Sequence, residues 1–136
     1  MRRPRPHDQR ARAGAVAVEF ALTFPLLMAY FFAMVVLIQG HMFKSTADNA
    51  AYEGARAGII AGADADEVRK RAEEVLNTIR TKGAQIKIEP EVILPATPSI
   101  QVSVSIPLKN NFWVHVPFVP DNWAAASTIT LNRELD

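Results

Sequence analysis

The sequence predicts an α+β protein: a long N-terminal transmembrane helix running into a small domain with a second helix and a three- to four-stranded antiparallel sheet. Three observations carry this. An apolar run fills Gly14 to Gly40 and contains a single carboxylate, Glu19. A capped, amphipathic pattern starts at Asp64. A strict alternation of apolar and polar residues follows Ser99. The expected divisions are a basic cytoplasmic leader over 1–14, the transmembrane helix over 15–40, its extension over 41–62, and an extracytoplasmic α+β domain over 63–136.

Ala15 to Ile38 is 24 residues long, which as a helix is roughly 36 Å at about 1.5 Å per residue. A bilayer core of about 30 Å needs about 20 apolar residues, so the run spans with some tilt. It exceeds the roughly 7–15 residues of a cleaved signal core. A buried core helix is the competing reading, but the run is apolar on all sides and only a short remainder could cover it. Pro25 removes one backbone donor and crowds the carbonyl of Ala21, so a bend is expected there, either a harmless kink or a hinge.

Charge sets the orientation. The chain carries a formal net charge of +1. Arg2, Arg3, Arg5, Arg10 and Arg12 face Asp8 alone in the leader, and ten Lys/Arg against thirteen Asp/Glu remain after it. Arginines ahead of an apolar segment tend to stay cytoplasmic, which places the C-terminal part outside. The implied topology is a single pass with the N-terminus cytoplasmic and the C-terminal part outside. No basic patch survives beyond the leader, which argues against nucleic acid as a partner. The chain has no cysteine, which excludes disulfides and thiolate chemistry.

The remaining elements follow in order. Residues 1–13 hold two prolines and no apolar period, and are expected to be unstructured. Past His41 the helix has no breaker until its glycines and should reach about Ile60. Ala47, Ala51, Ala55 and Gly58 give it a small-residue face that another element could approach closely, or they simply supply helix propensity. Asp64 caps the second helix, with Glu67 as reciprocal partner. Val68, Ala72, Val75, Leu76 and Ile79 form its apolar face, Arg69, Lys70, Glu73, Glu74 and Arg80 its wet one, and Gly83 ends it. Gln85 to Ile93 is one strand or two, interrupted by Pro90. Ile100, Val102, Val104, Ile106 and Leu108 alternate with Gln101, Ser103 and Ser105 in a half-buried strand. Phe112 to Pro120 is a loop or edge segment, and its aromatic residues form a sticky patch, complete a small core or sit at a membrane surface. Ala126 to Arg133 alternates again.

No active site emerges. His7, His41 and His115 lack ligand spacing, so neither metal nor other cofactor is expected. Glycines sit in the helix without a preceding strand, unlike a phosphate loop. No nucleophile–base pair stands out. Glu19 is the unusual residue. A carboxylate costs on the order of 2.5–3.5 kcal/mol at the bilayer centre and less near an edge. It either snorkels to the headgroups or has a specific partner.

Gly14-Ala15-Val16-Ala17-Val18-Glu19-Phe20 resembles the type IV prepilin processing site: glycine, four apolar residues, glutamate, aromatic. The continuation through Phe24, Pro25, Leu26 and Leu27 is similar to the TadE-like family, the pseudopilins or minor pilins of tight-adherence (Flp, type IVc) pili. Tyr52-Glu53-Gly54-Ala55-Arg56-Ala57-Gly58 resembles that family's small-residue helix, and the strand ending near Arg133-Glu134 is similar too. The resemblance implies cleavage between Gly14 and Ala15 by a prepilin peptidase, an aspartic protease, with Phe20 part of the processing motif. It also implies a helix–helix assembly role for Glu19, which would pair with a neighbouring subunit's new N-terminus, and for Pro25. The implied partners are a major Flp-type pilin, other TadE/TadF-like proteins, the inner-membrane assembly platform and the lipid bilayer, and the implied role is non-enzymatic. The leader and the downstream domain both exceed those of a Flp major pilin, favouring a minor pilin or pseudopilin. The alternative is an uncleaved, signal-anchored periplasmic binding domain whose helix is only a tether. A small membrane-tethered hydrolase is a further rival without a candidate triad.

Overall fold

Five elements run in the order ααβββ: α1 (Pro6–Gly58), α2 (Ala65–Thr78), β1 (Gln85–Glu89), β2 (Ser99–Pro107) and β3 (Ala124–Asn132). The structure is a computed structural model and describes residues 6–60, 62–94, 97–113 and 120–133. Two compact units divide the chain, Met1–Leu37 and Ile38–Asp136. The first is helix throughout its described part. The second holds the remainder of α1, α2 and the sheet.

The helix starts earlier than expected. Residues 6–13, anticipated as unstructured, belong to α1, while 1–5 lie outside the described residues. Pro6 suits a first helical position, where its missing N–H is not needed. The Arg, Ala and Gln residues that follow are good helix formers, and extending an existing helix is far easier than starting one. The other end lies at Gly58, two residues before the expected Ile60.

In the second unit, three antiparallel strands form a meander in the order β1-β2-β3. The central β2 alternates as its sequence demands: Ile100, Val102, Val104 and Ile106 are buried, while the residues between them are half-exposed. Ile88 of β1 pairs with Val102, and Ala125 of β3 with Ile106, on the same inner face. On the outer face, Ser103 and Thr128 share a hydroxyl hydrogen bond of 2.9 Å. The first strand is single and stops at Glu89, since Pro90 has no donor for the ladder.

Both helices cover the inner face. Ala47, Ala50, Ala51 and Ala55 of α1 join Val68, Ala72 and Leu76 of α2 and the inner strand residues in one core. The small-residue face is thus a packing surface. A Cβ on Gly54 would lie 3.3 Å from Ala72 Cβ and 3.4 Å from Val102 Cγ1, and one on Gly58 would lie 2.9 Å from both Ile100 Cδ1 and Val68 Cγ2. Ile100, Ile106, Val68, Val102 and Val104 are fully buried, each contributing about 1.5–3 kcal/mol from removal of apolar area.

Asp64 caps α2 by accepting from the Glu67 N–H at 2.9 Å. The reciprocal half of the expected box is replaced: Glu67 faces Arg71, with 3.6 Å between Oε1 and Nε. The helix also ends earlier than Gly83. It closes after Thr78, where Arg80 adopts φ 52°. The Arg80 N–H reaches Asn77 O at 3.1 Å and the Thr81 N–H reaches Leu76 O at 3.3 Å, a Schellman closure with a non-glycine residue in the left-handed position. Thr81 Oγ1 donates to the same Leu76 carbonyl at 3.1 Å. Gly83, φ 69°, instead shapes the turn into β1.

Candidate functional site

In the first unit most side chains of the apolar run are exposed. Val16, Val18, Phe20, Leu22, Leu26, Leu27, Tyr30 and Phe31 are all more than half exposed. The most apolar 18-residue window of the helix is 0% buried. A soluble core helix is nearly covered, so this observation removes that reading for the unit as it stands. Among the described residues, one helix is long and apolar enough to cross a membrane. Such a helix is a membrane anchor or a signal.

All five residues singled out from the sequence lie on this helix. Gly14 has nothing within 4 Å of where a Cβ would stand, so no neighbour requires a glycine there. Ala15 follows it and, being four residues before Glu19, shares its face. Glu19 is exposed amid apolar residues. Phe20 stacks on Phe24 with 5.3 Å between ring centroids, the contact expected one turn apart. Pro25 lies inside the helix, where it leaves the Ala21 carbonyl without its usual donor.

The second unit contains features the sequence did not disclose. Arg133, just past β3, closes the end of α1. Its guanidinium donates to Gly58 O at 3.0 Å, Ile59 O at 3.2 Å, Ile60 O at 2.8 Å and Leu94 O at 3.2 Å. The first three are carbonyls at and just beyond the negative end of the helix, where a cation is favourable. Lys44 ties α1 to the far strand by donating to Ala126 O at 2.8 Å and to Asp48 Oδ1 at 2.7 Å. The Lys44 ammonium first, and the Ser127 hydroxyl second, hold the Asp48 carboxyl below its usual range. Asn111 clips two connections together: its Oδ1 accepts from Lys82 N at 2.8 Å, and its Nδ2 donates to Lys82 O at 2.9 Å and Pro107 O at 2.7 Å. No local pattern announces the contacts to Ala126, Lys82, Leu94 and the end of α1, which join residues 29 or more apart in the chain. In the aromatic segment, Phe112 packs edge-on to Phe43 with centroids 6.1 Å apart. His115 and Phe118 lie outside the described residues. Among the described residues, no cluster of three or more His, Asp or Glu could hold a metal.

A family model described as TadE-like protein matches residues 14–56. Over that stretch, less than half of the chain, it is similar to the TadE-like family. The match begins at Gly14 and ends two residues before α1 does. The matched segment takes in the whole apolar run, Glu19, Pro25 and most of the small-residue face, while α2 and the sheet lie beyond it. Comparison with curated proteins finds no match, and comparison with solved structures finds none either.

Proposed function

We propose that this chain is a non-enzymatic pseudopilin or minor pilin, anchored by α1 in the inner membrane, cut after Gly14, and used to assemble or prime a Tad-type (Flp, type IVc) pilus or a related secretion apparatus. The observation that carries the proposal is Glu19: a lone carboxylate on an uncovered apolar helix, five residues after the glycine at which the TadE-like match begins.

The chemistry is self-consistent. Cutting the Gly14–Ala15 bond creates an ammonium on Ala15 and makes Glu19 the fifth residue of the new chain. A carboxylate near a helix N-terminus is stabilised by the macrodipole, by about 0.3–1 kcal/mol. The new ammonium and Glu19 are opposite charges at the same level of the bilayer. Each is costly alone in lipid, and pairing offsets the cost. Pairing between neighbouring subunits selects one stagger of adjacent helices. The leader's five arginines against one aspartate keep it cytoplasmic and place the sheet-bearing unit outside. Partners on this reading are a prepilin peptidase, a major Flp-type pilin, TadE/TadF-like proteins and the assembly platform.

N-terminal sequencing of the membrane fraction tests the reading. The chain should start at Ala15, and Gly14→Ala should restore a start at Met1. Glu19→Ala should insert normally yet co-isolate poorly with other pilins; undiminished co-isolation would reduce Glu19 to a tolerated edge charge.

A further inference from the structure

Beyond the matched segment, one large aromatic side chain is left bare on a backbone that is tied down. Trp113 is 90% exposed. It is not a loose residue. Asn111 is clipped to Lys82 and Pro107 by three hydrogen bonds. Phe112 turns inward against Phe43. The Trp113 N–H then donates to Gln39 Oε1 at 3.3 Å, and Gln39 itself is 9% exposed. With Phe112 turned in and its own backbone tied down, Trp113 presents its indole to the surroundings. An indole this exposed leaves a large apolar area unburied in water.

The place of the tie matters. Gln39 directly follows Ile38, the last residue of the apolar run, which is 64% exposed. From Phe20 to Ile38 the helix covers roughly 28 Å at about 1.5 Å per residue, close to the roughly 30 Å of a bilayer core. Glu19 and Gln39 therefore bracket one hydrocarbon thickness, and the Trp113 backbone is bonded to the residue at its outer edge. That depth is where indoles concentrate, with an apolar body towards the acyl chains and an N–H towards the headgroups.

We propose that Trp113 is an interfacial anchor whose indole lies in the headgroup layer of the outer leaflet and docks the sheet-bearing unit on the membrane surface. The proposal rests on the reading that α1 spans the membrane.

The test uses the full chain in phosphatidylcholine–phosphatidylglycerol vesicles. The chain has two tryptophans, so Trp123→Phe leaves Trp113 as the single indole. Lipids carrying a nitroxide near the headgroup should quench it several-fold more than lipids carrying one at the chain end. Iodide should quench it several-fold less than indole in water. A companion, Leu27→Trp with Trp113→Phe and Trp123→Phe, places the only indole mid-span, where the chain-end nitroxide should quench it. If the mid-span indole is quenched while Trp113 meets iodide freely and ignores both nitroxides, the anchor is overturned and the spanning helix stands. If neither is quenched by lipid, the spanning reading fails and the anchor with it.

Discussion

Replacing Gly58 with alanine should destabilise the sheet-bearing unit, and the structure sets the size of the effect. The added methyl would stand 2.9 Å from Ile100 Cδ1, 2.9 Å from Val68 Cγ2 and 3.3 Å from Ile100 Cγ2. Carbon pairs prefer about 3.5–4.0 Å, so two neighbours on different elements must each retreat by about 0.6 Å or more. Both are completely buried. Overpacking of this kind costs about 1–3 kcal/mol. Alanine returns up to about 1 kcal/mol of helix propensity in a helix interior, and less at Gly58, the last residue of α1. The expected net loss is about 1–2 kcal/mol. Gly54→Ala is the internal control: its nearest contacts are 3.3 Å and 3.4 Å, and it lies within the helix, so its net effect should be under about 1 kcal/mol. Thermal unfolding of the full chain in detergent, followed by near-ultraviolet circular dichroism, reads the difference as about 4–8 °C per kcal/mol for a domain of this size. A Gly58→Ala chain as stable as the native one, or more stable than Gly54→Ala, would refute the close approach of α1 to Ile100 and Val68.

Three other perturbations probe the same unit. Arg80→Gly should stabilise by about 1 kcal/mol, because the left-handed conformation at φ 52° penalises a side chain and not glycine; Arg80→Ala should change little, and equal gains from both would point to the arginine charge instead. Arg133→Ala should cost about 2 kcal/mol, since bonds to a charged donor are worth about 1.5–3 kcal/mol, and Arg133→Lys should recover only part of it because an ammonium cannot reproduce the fork; no loss in either variant would show the α1 closure to be incidental. Asp48 has a lowered carboxyl pKa, so its contribution is complete above the ordinary value of 3.8 and is lost as pH falls through the lowered one. The pair is exposed, which limits the effect to about 0.5 kcal/mol, and Asp48→Asn should flatten the melting temperature over that acid window; an unchanged acid slope would remove Asp48 from the account.

Much of the architecture was legible because it rests on local patterns. The apolar run, the Asp64 cap and the alternation through Ile100–Ile106 are each written within a few residues, and each became the element it indicated. Where local signals competed, the outcome was less readable. Gly83 is the better helix stop by residue type, yet the helix closed at Arg80, because Leu76 and Asn77 carbonyls could be satisfied there by Arg80 and Thr81. The start of α1 moved back to Pro6 because a long helix propagates easily into Ala- and Arg-rich sequence. The Arg133, Asn111–Lys82 and Trp113–Gln39 ties could not be read at all, since they join residues 29 to 75 apart. Of the candidate site, the residue types and their order were visible, and the structure adds that the helix bearing them is uncovered.

That uncovered helix makes the state of the mature N-terminus the central question. Intact-mass analysis of the chain, isolated from membranes that contain a prepilin peptidase, measures it most directly. The account expects a chain beginning at Ala15 with Glu19 fifth, and a Gly14→Ala chain that keeps its arginine-rich leader. A native chain that begins at Met1 regardless of the peptidase would contradict it and leave α1 as a tether alone.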